Sequence, residues 1–257
     1  MATVSVRNVW KEYGAQVVLE NVRLEIADHE FVTIIGASDC GKTTFLKMLL
    51  GMEQPTRGQI LIDGVPIRSE PDPDRGVVFQ RYSSFPHLTV LENVMLGLEL
   101  KTAKLAGRLF GGARRAARDA ALAMLESVGL AHARDKYPSQ LSGGMQQRMS
   151  IAQAVICKPK ILLLDEPFGA LDPGVTADMH QLILRLWTEN RMTIFMVSHD
   201  IQESFLLGTR LLTFDKLRQD PQSPEAYGAS VTYDLKLQRR SRALSAESVA
   251  QPDEIPA

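Results

Sequence analysis

Hydrophobic and polar residues alternate in short runs through the first 28 positions, with Val4 and Val6 in one run and Val18, Val22, Leu24 and Ile26 in the next. Alternation of period two marks a half-buried strand, and Gly14 and Asp28 supply turns, so this part predicts antiparallel strands. Residues 31–35 are an unbroken apolar run ending at Gly36, as expected of a strand covered on both faces. Over residues 42–50 the period lengthens: Phe45, Leu46, Leu49 and Leu50 recur at helical spacing, and Gly51 supplies a C-terminal stop. Residues 76–79 read as a further strand. Between 88 and 130 the pattern becomes Ala- and Arg-rich helix, interrupted by a loop at 107–112, which predicts a helical subdomain. Runs at 161–164 and 193–197 predict two more buried strands, separated by a helix over 175–187 with Leu182, Ile183 and Leu186 on its inner side. Short strand candidates follow at 211–214 and 230–235, and the small, polar remainder reads as a disordered tail over 236–257. Strands alternating with helices in this way predict an α/β layered sheet.

Composition narrows the picture without naming a function. A chain of 257 residues with 45% hydrophobic content can bury a sizeable core in one large domain or two small ones. Two cysteines, Cys40 and Cys157, are too few for a disulfide framework, which suits a reducing, cytosolic setting. A formal net charge of -1 gives no bulk attraction to nucleic acid, so none is expected as a partner. No uninterrupted apolar run approaches the roughly 18 residues that cross a bilayer, and the first residues carry no apolar block suited to a signal peptide. Membrane association is therefore expected only through a partner. Basic stretches at 101–118 (Lys101, Lys104, Arg108, Arg114, Arg115, Arg118) and 236–242 read first as solvated surface, with contact to anionic lipid as the alternative.

Chemistry enters at residues 36–43, Gly36, Ala37, Ser38, Asp39, Cys40, Gly41, Lys42 and Thr43, with Thr44 next to them. They fit the pattern G-x-x-x-x-G-K-[ST] between a strand and a helix, the context in which loop amides cradle phosphates. Lys42 can then reach the β and γ oxygens, and Thr43 offers its hydroxyl to Mg²⁺. Further on come Leu141, Ser142, Gly143, Gly144, Met145, Gln146, Gln147 and Arg148, and then an apolar strand closing on Asp165 and Glu166. This order of motifs resembles the ATPase subunit of an ATP-binding cassette (ABC) transporter, and the resemblance runs from Val4 to about Phe214.

The resemblance implies a P-loop NTPase fold of ABC ATPase type, with a RecA-like core, an antiparallel β subdomain and a helical subdomain at about 88–155, all within residues 1–235. It implies ATP and Mg²⁺ as ligands, Asp165 and Gln80 with Thr43 around the metal, and Glu166 as the general base that polarises water. His199 resembles the switch histidine that meets the γ-phosphate, and Tyr13 the aromatic that stacks on adenine. Ser142, Gly143 and Gly144 resemble the signature that completes the ATP site of a second copy, which implies a head-to-tail homodimer. Ala170, Leu171 and Asp172 resemble the loop that communicates between the two sites. Ser83, Phe85, Pro86 and Leu88 resemble the groove for the coupling helix of a membrane-embedded permease, with plain core packing of Phe85 and Leu88 as the other reading.

Where the family usually has Gly, this loop has Asp39, a residue that tolerates positive φ but brings charge to the phosphates. Weakened ATP affinity with retained turnover is the expectation. Cys40 reads as a small hydrophobe, with a thiol pKa lowered by loop amides and Lys42 as the alternative. The form Phe168, Gly169, Ala170, Leu171, Asp172 resembles importers, above all the nitrate, sulfonate, taurine and bicarbonate group, with the stretch near 227–235 similar to urea-linked members. That implies separate permease subunits, an extracytoplasmic substrate-binding protein and a peripheral place on the cytoplasmic face of the inner membrane. A soluble ABC ATPase working on ribosomes or nucleic acid usually has two cassettes or a coiled-coil insertion, and neither is present. A weakly hydrolysing regulator has Asp39 in its favour, and Glu166 and His199 against it.

Overall fold

The alternating N-terminal segment forms β1 (Val4–Tyr13) and β2 (Gln16–Ile26), an antiparallel pair in a computed structural model that describes residues 2–80, 84–102, 109–218, 220–223 and 225–237. β1 pairs on its other edge with β4 (Arg57–Ile62), which turns into the short β5 (Val65–Pro66), giving the order β2-β1-β4-β5. The hydrophobic pattern leaves β4 and β5 unmarked. The first three residues of β4 and both residues of β5 are exposed, so no alternation shows.

The second sheet has the order β10-β9-β3-β8-β7-β6, made of β3 (Phe31–Gly36), β6 (Arg75–Val78), β7 (Ile161–Asp165), β8 (Thr193–Val197), β9 (Arg210–Asp215) and β10 (Ser230–Lys236). All its pairings are parallel except that of β10 with β9. The unbroken apolar runs are explained by cover on both faces. Val32, Ile34, Ile161, Leu163, Phe195 and Val197 pack with the N-terminal sheet and with Phe45, Leu46 and Leu49 of α1 (Lys42–Leu50). Their neighbours Phe31, Leu162, Leu164, Ile194 and Met196 face the opposite layer.

That layer holds α2 (Val90–Thr102), α3 (Gly111–Ser127), α4 (Gly143–Val155) and α5 (Pro173–Asn190), and the expected inner residues Leu182, Ile183 and Leu186 are buried in it. The loop expected at 107–112 ends sooner, because α3 already begins at Gly111. A glycine in the first helical turn gives up no intrahelical bond through its N–H. Lys104, Arg108 and Ser83 lie outside the described residues, as do most of 236–257 and of the second basic stretch. Lys236, expected in the tail, belongs instead to β10, where it pairs with Arg210. Arg114, Arg115 and Arg118 are exposed on α3, whereas Lys101 reaches Asp74 and donates to the carbonyl of Cys157. The seven-residue α6 (Ile201–Leu207) is too short to show a helical period in sequence. Among the described residues, no helix is long and apolar enough to cross a membrane.

Candidate nucleotide site

In an open parallel sheet, ligands gather beyond the carboxyl ends of the strands. Here four adjacent strands end together: Gly36 closes β3, His199 follows β8, Asp165 closes β7 and Gln80 follows β6. At the end of β3 the chain turns through Asp39, at φ 60°, and Gly41, at φ 81°, into α1. A Cβ on Gly41 would come within 2.7 Å of Leu19 Cδ2, so the glycine lets the loop lie tight against β2. No side chain caps the N-terminus of α1 and no acid sits in its first turn, which leaves amide donors and the positive end of the helix dipole for an anion. The buried Lys42 ammonium donates to the carbonyls of Gly36 (2.9 Å) and Ala37 (2.7 Å), spanning the loop from beneath.

Cys40 is not activated. Burial pushes its thiol up from 9.0, and this outweighs the pull of the Lys42 charge and amide. The lowered-pKa alternative is thus corrected, and the thiol packs in the apolar core with Phe45 and Phe214. Maleimide labelling of Cys40 followed by mass spectrometry at neutral pH is expected to be slow in the folded protein, fast after unfolding, and faster in the folded state only as pH rises beyond 9.0.

Across from the loop, Thr43 Oγ1 donates to Asp165 Oδ1 at 3.2 Å. Burial holds the Asp165 carboxyl above the ordinary 3.8, with the neighbouring Glu166 charge adding to it against the opposing Thr43 bond. A desolvated carboxylate beside a hydroxyl suits a hard divalent cation such as Mg²⁺, which keeps phosphate and water oxygens for the rest of its shell. Next to it Glu166 has φ 49°, a left-handed backbone that an ordinary side chain adopts at a cost of about 1–3 kcal/mol. Its side chain is held from two sides: Gln80 Nε2 donates to Oε2 at 3.0 Å, and His199 Nε2 lies 2.6 Å from Oε1.

Gln80, Glu166 and His199 line one cavity of about 600 Å³ together with Tyr13, Ser38, Asp39, Gly41, Lys42, Thr43 and Thr44, and Asp165 lies behind Thr43, to which it is hydrogen-bonded. Tyr13 is exposed at its mouth; its hydroxyl donates to Glu53, and Lys11 Nζ lies 4.7 Å from the ring centroid. Burial and the Glu53 carboxylate push the Tyr13 phenol up to about 12, so it remains a neutral ring at physiological pH. Gly36, Ala37 and Cys40 do not line the cavity but form the underside of its loop. Ser142, Gly143 and Gly144 are not brought to it either. Ser142 caps α4, its Oγ accepting from Met145 N–H at 3.4 Å, and a Cβ on Gly144 would meet Val175 Cγ1 at 2.7 Å. Asp172 stands at the N-cap of α5, between Leu171 and Pro173, which line a second cavity.

A family model described as "ABC transporter" matches residues 19–169, more than half of the chain. The chain belongs to the ABC transporter family. An aliphatic sulfonates import ATP-binding protein, SsuB 1 of Burkholderia cenocepacia, is 42% identical over 215 residues, covering 84% of this chain and 62% of the relative. The bicarbonate transport ATP-binding protein CmpD of Synechocystis sp. is also 42% identical over 215 residues, covering 82% and 73%. The solved dimeric post-hydrolysis state of the ATP-binding cassette MJ0796, bound to ADP and Pi, superposes with a TM-score of 0.73 at 32% identity over 91% of this chain and 99% of that one. This ABC protein thus has the P-loop ABC ATPase fold with a RecA-like core, as its motifs implied. It spans 62% of the length of the sulfonate-import relatives.

Sequence reasoning missed four residues at this ABC site. Gln16 and Val18 line the nucleotide cavity from β2, and nothing in their local sequence marks them. Glu203 and His180 sit behind His199. Asp200 with Glu203 three residues on looks like a helix-capping box, and only Asp200 caps: it accepts from the amides of Gln202 and Glu203.

Proposed function

We propose that this chain is the ATP-binding and ATP-hydrolysing subunit of an ABC importer, two copies of which close on ATP and Mg²⁺ to drive a separate permease. The observation that carries this reading is Glu166, gripped by Gln80 and His199 at the edge of the cavity that Lys42 and Thr43 line. Glu166 takes the proton of the attacking water, Gln80 and His199 orient its carboxylate, and the α1 amides and Lys42 hold the phosphates. Thr43, Asp165 and Gln80 would hold Mg²⁺, which supplies charge neutralisation at the transferred phosphoryl group. Tyr13 offers its ring face to adenine. Ser142, Gly143 and Gly144, away from the cavity of their own chain, complete that of the second copy, and Asp172 lies on the loop between the two sites.

Residues 85–88 supply the face for the permease. Buried Asn93 pins them to α2 by accepting from Phe85 N–H (2.8 Å) and donating to the carbonyls of Phe85 and Leu88 (both 3.0 Å), while the Phe85 ring stays exposed. Phe85 is therefore free for a partner, and the core-packing reading does not apply to it. The sulfonate and bicarbonate relatives support a small solute such as a sulfonate, taurine, nitrate, bicarbonate or a urea-like compound. An extracytoplasmic binding protein would deliver it, and this subunit would sit at the cytoplasmic face of the membrane through its permease.

The test is purification of the tagged protein from membranes with identification of what comes with it. A permease, lost in Phe85→Ala, is the expected outcome; ribosomes or nucleic acid without a membrane protein would overturn the proposal. Asp39, exposed and lining the cavity, is expected to weaken nucleotide binding by repulsion worth about 1 kcal/mol. Asp39→Gly should bind ATP about fivefold more tightly by fluorescence titration, and unchanged affinity would rule the repulsion out.

A further inference from the structure

Behind the hydrolytic edge lies a second cavity, of about 870 Å³, that shares Glu166 and His199 with the nucleotide cavity. Its wall carries Phe168, His180, Ser198 and Glu203. Glu203 is an acid only 8% exposed, and a buried carboxylate is costly unless its oxygens are satisfied. Oε2 accepts from Ser198 Oγ at 2.5 Å and Oε1 meets His180 Nε2 at 2.8 Å. Ser198 Oγ in turn accepts from Asp200 N–H at 3.0 Å, so this one carboxylate ties down the turn that carries His199. Capping does not explain it, because Asp200 already caps α6.

His180, from α5, also meets the ring of Phe168 edge-on, with centroids 5.1 Å apart. Phe168 is two residues beyond Glu166, and His199 returns to Glu166 at 2.6 Å. Four side-chain contacts, joined by the backbone between Glu166 and Phe168 and between Ser198 and His199, therefore close a circuit from Glu166 through Phe168, His180, Glu203, Ser198 and His199 back to Glu166. His199 alone is a half-exposed ring on a short turn, with 49% of its side chain open to solvent. Such a ring needs an anchor to stay aligned.

We infer that Glu203 and His180 are positioning residues for ATP hydrolysis, which hold the His199 imidazole against Glu166 through this circuit. The inference rests on reading Glu166 and His199 as the hydrolytic pair. Neither new residue lines the nucleotide cavity, so their loss should lower kcat and leave nucleotide affinity alone. A displacement of about 1 Å at reacting groups costs up to ~100-fold in rate.

The test measures kcat, KM, nucleotide Kd and Tm of the full-length protein with Mg–ATP. Glu203→Ala and His180→Leu are expected to lower kcat about tenfold or more with Kd within about twofold, and His180→Gln, which keeps an N–H donor, to restore kcat to within about threefold. Added to His199→Ala, Glu203→Ala should cost nothing further, since residues acting as one unit are not additive. Wild-type kcat in Glu203→Ala, an equal loss with and without His199, or a His180→Gln as slow as His180→Leu would overturn the inference. Should Glu203→Ala fail to fold, the two His180 variants decide it alone. If the unmodified protein does not hydrolyse ATP, or Glu166→Gln hydrolyses it normally, the parent reading falls and takes the circuit with it. If the natural protein is active and only the circuit variants are silent, the parent reading stands.

Discussion

Glu166→Gln is expected to lower the steady-state rate of phosphate release by about 10³-fold while leaving ATP binding intact, because a general base contributes ~10²–10⁴ to the rate. The amide has the size of the carboxylate and keeps an oxygen able to accept from Gln80 or His199, which stand 3.0 and 2.6 Å away. What it lacks is basicity toward water. With hydrolysis removed, two copies should remain locked around Mg–ATP, each supplying Lys42 to one nucleotide and Ser142 to the other. Light scattering behind a sizing column should then report twice the monomer mass with Mg–ATP and the monomer mass without it. A variant that stays monomeric at saturating Mg–ATP would remove the shared-site mechanism, and one that still turns over would remove Glu166 as the base.

Asp165→Asn is expected to act in opposite directions on activity and stability. Hydrolysis should drop by about 10²-fold or more, since the carboxylate that Thr43 donates to is gone and Mg²⁺ would be held less well. Stability without nucleotide should rise. The Asp165 carboxyl is held above 3.8, chiefly by burial, so the folded protein keeps this proton more tightly than the unfolded chain does. Linkage then gives the sign: stability from this group is full below 3.8, falls as pH rises through the raised folded value, and stays lower at neutrality. Asn carries no charge to desolvate and can still accept from Thr43. Scanning fluorimetry should show a higher Tm for the variant at neutral pH, a difference that closes on acidification, and a smaller gain from Mg–ATP than the natural protein shows. A lower Tm at neutral pH would mean that the charge is compensated within the protein.

Most of this fold could be read from spacing alone. The strands at 31–35, 161–164 and 193–197 and the helix at 42–50 were visible because burial on two faces or on one stripe leaves a strong local period. β4 and α6 were not visible, one being exposed along half its length and the other less than two turns long. The candidate site divides along the same line. Residues 36–43 declare themselves because a phosphate loop is local: backbone turn, lysine and hydroxyl are consecutive. Glu203 carries no local mark of its role, since a capping box and a buried anchor share one spacing. Cys40 could be argued either way until burial was known, because desolvation and the Lys42 charge push its thiol in opposite directions.

By itself the sequence determined which residues could do chemistry and the order in which they occur, because motifs of consecutive residues carry their own geometry. Only the tertiary structure decided which of them meet. The strand order β3-β8-β7-β6 sets Gly36, His199, Asp165 and Gln80 along one edge, and parallel pairing points all four chain ends the same way. The same packing sets Glu203 under His199 and keeps Ser142 away from the Lys42 of its own chain. Such distances follow from how helices and sheets bury their faces against one another, and no local pattern encodes them.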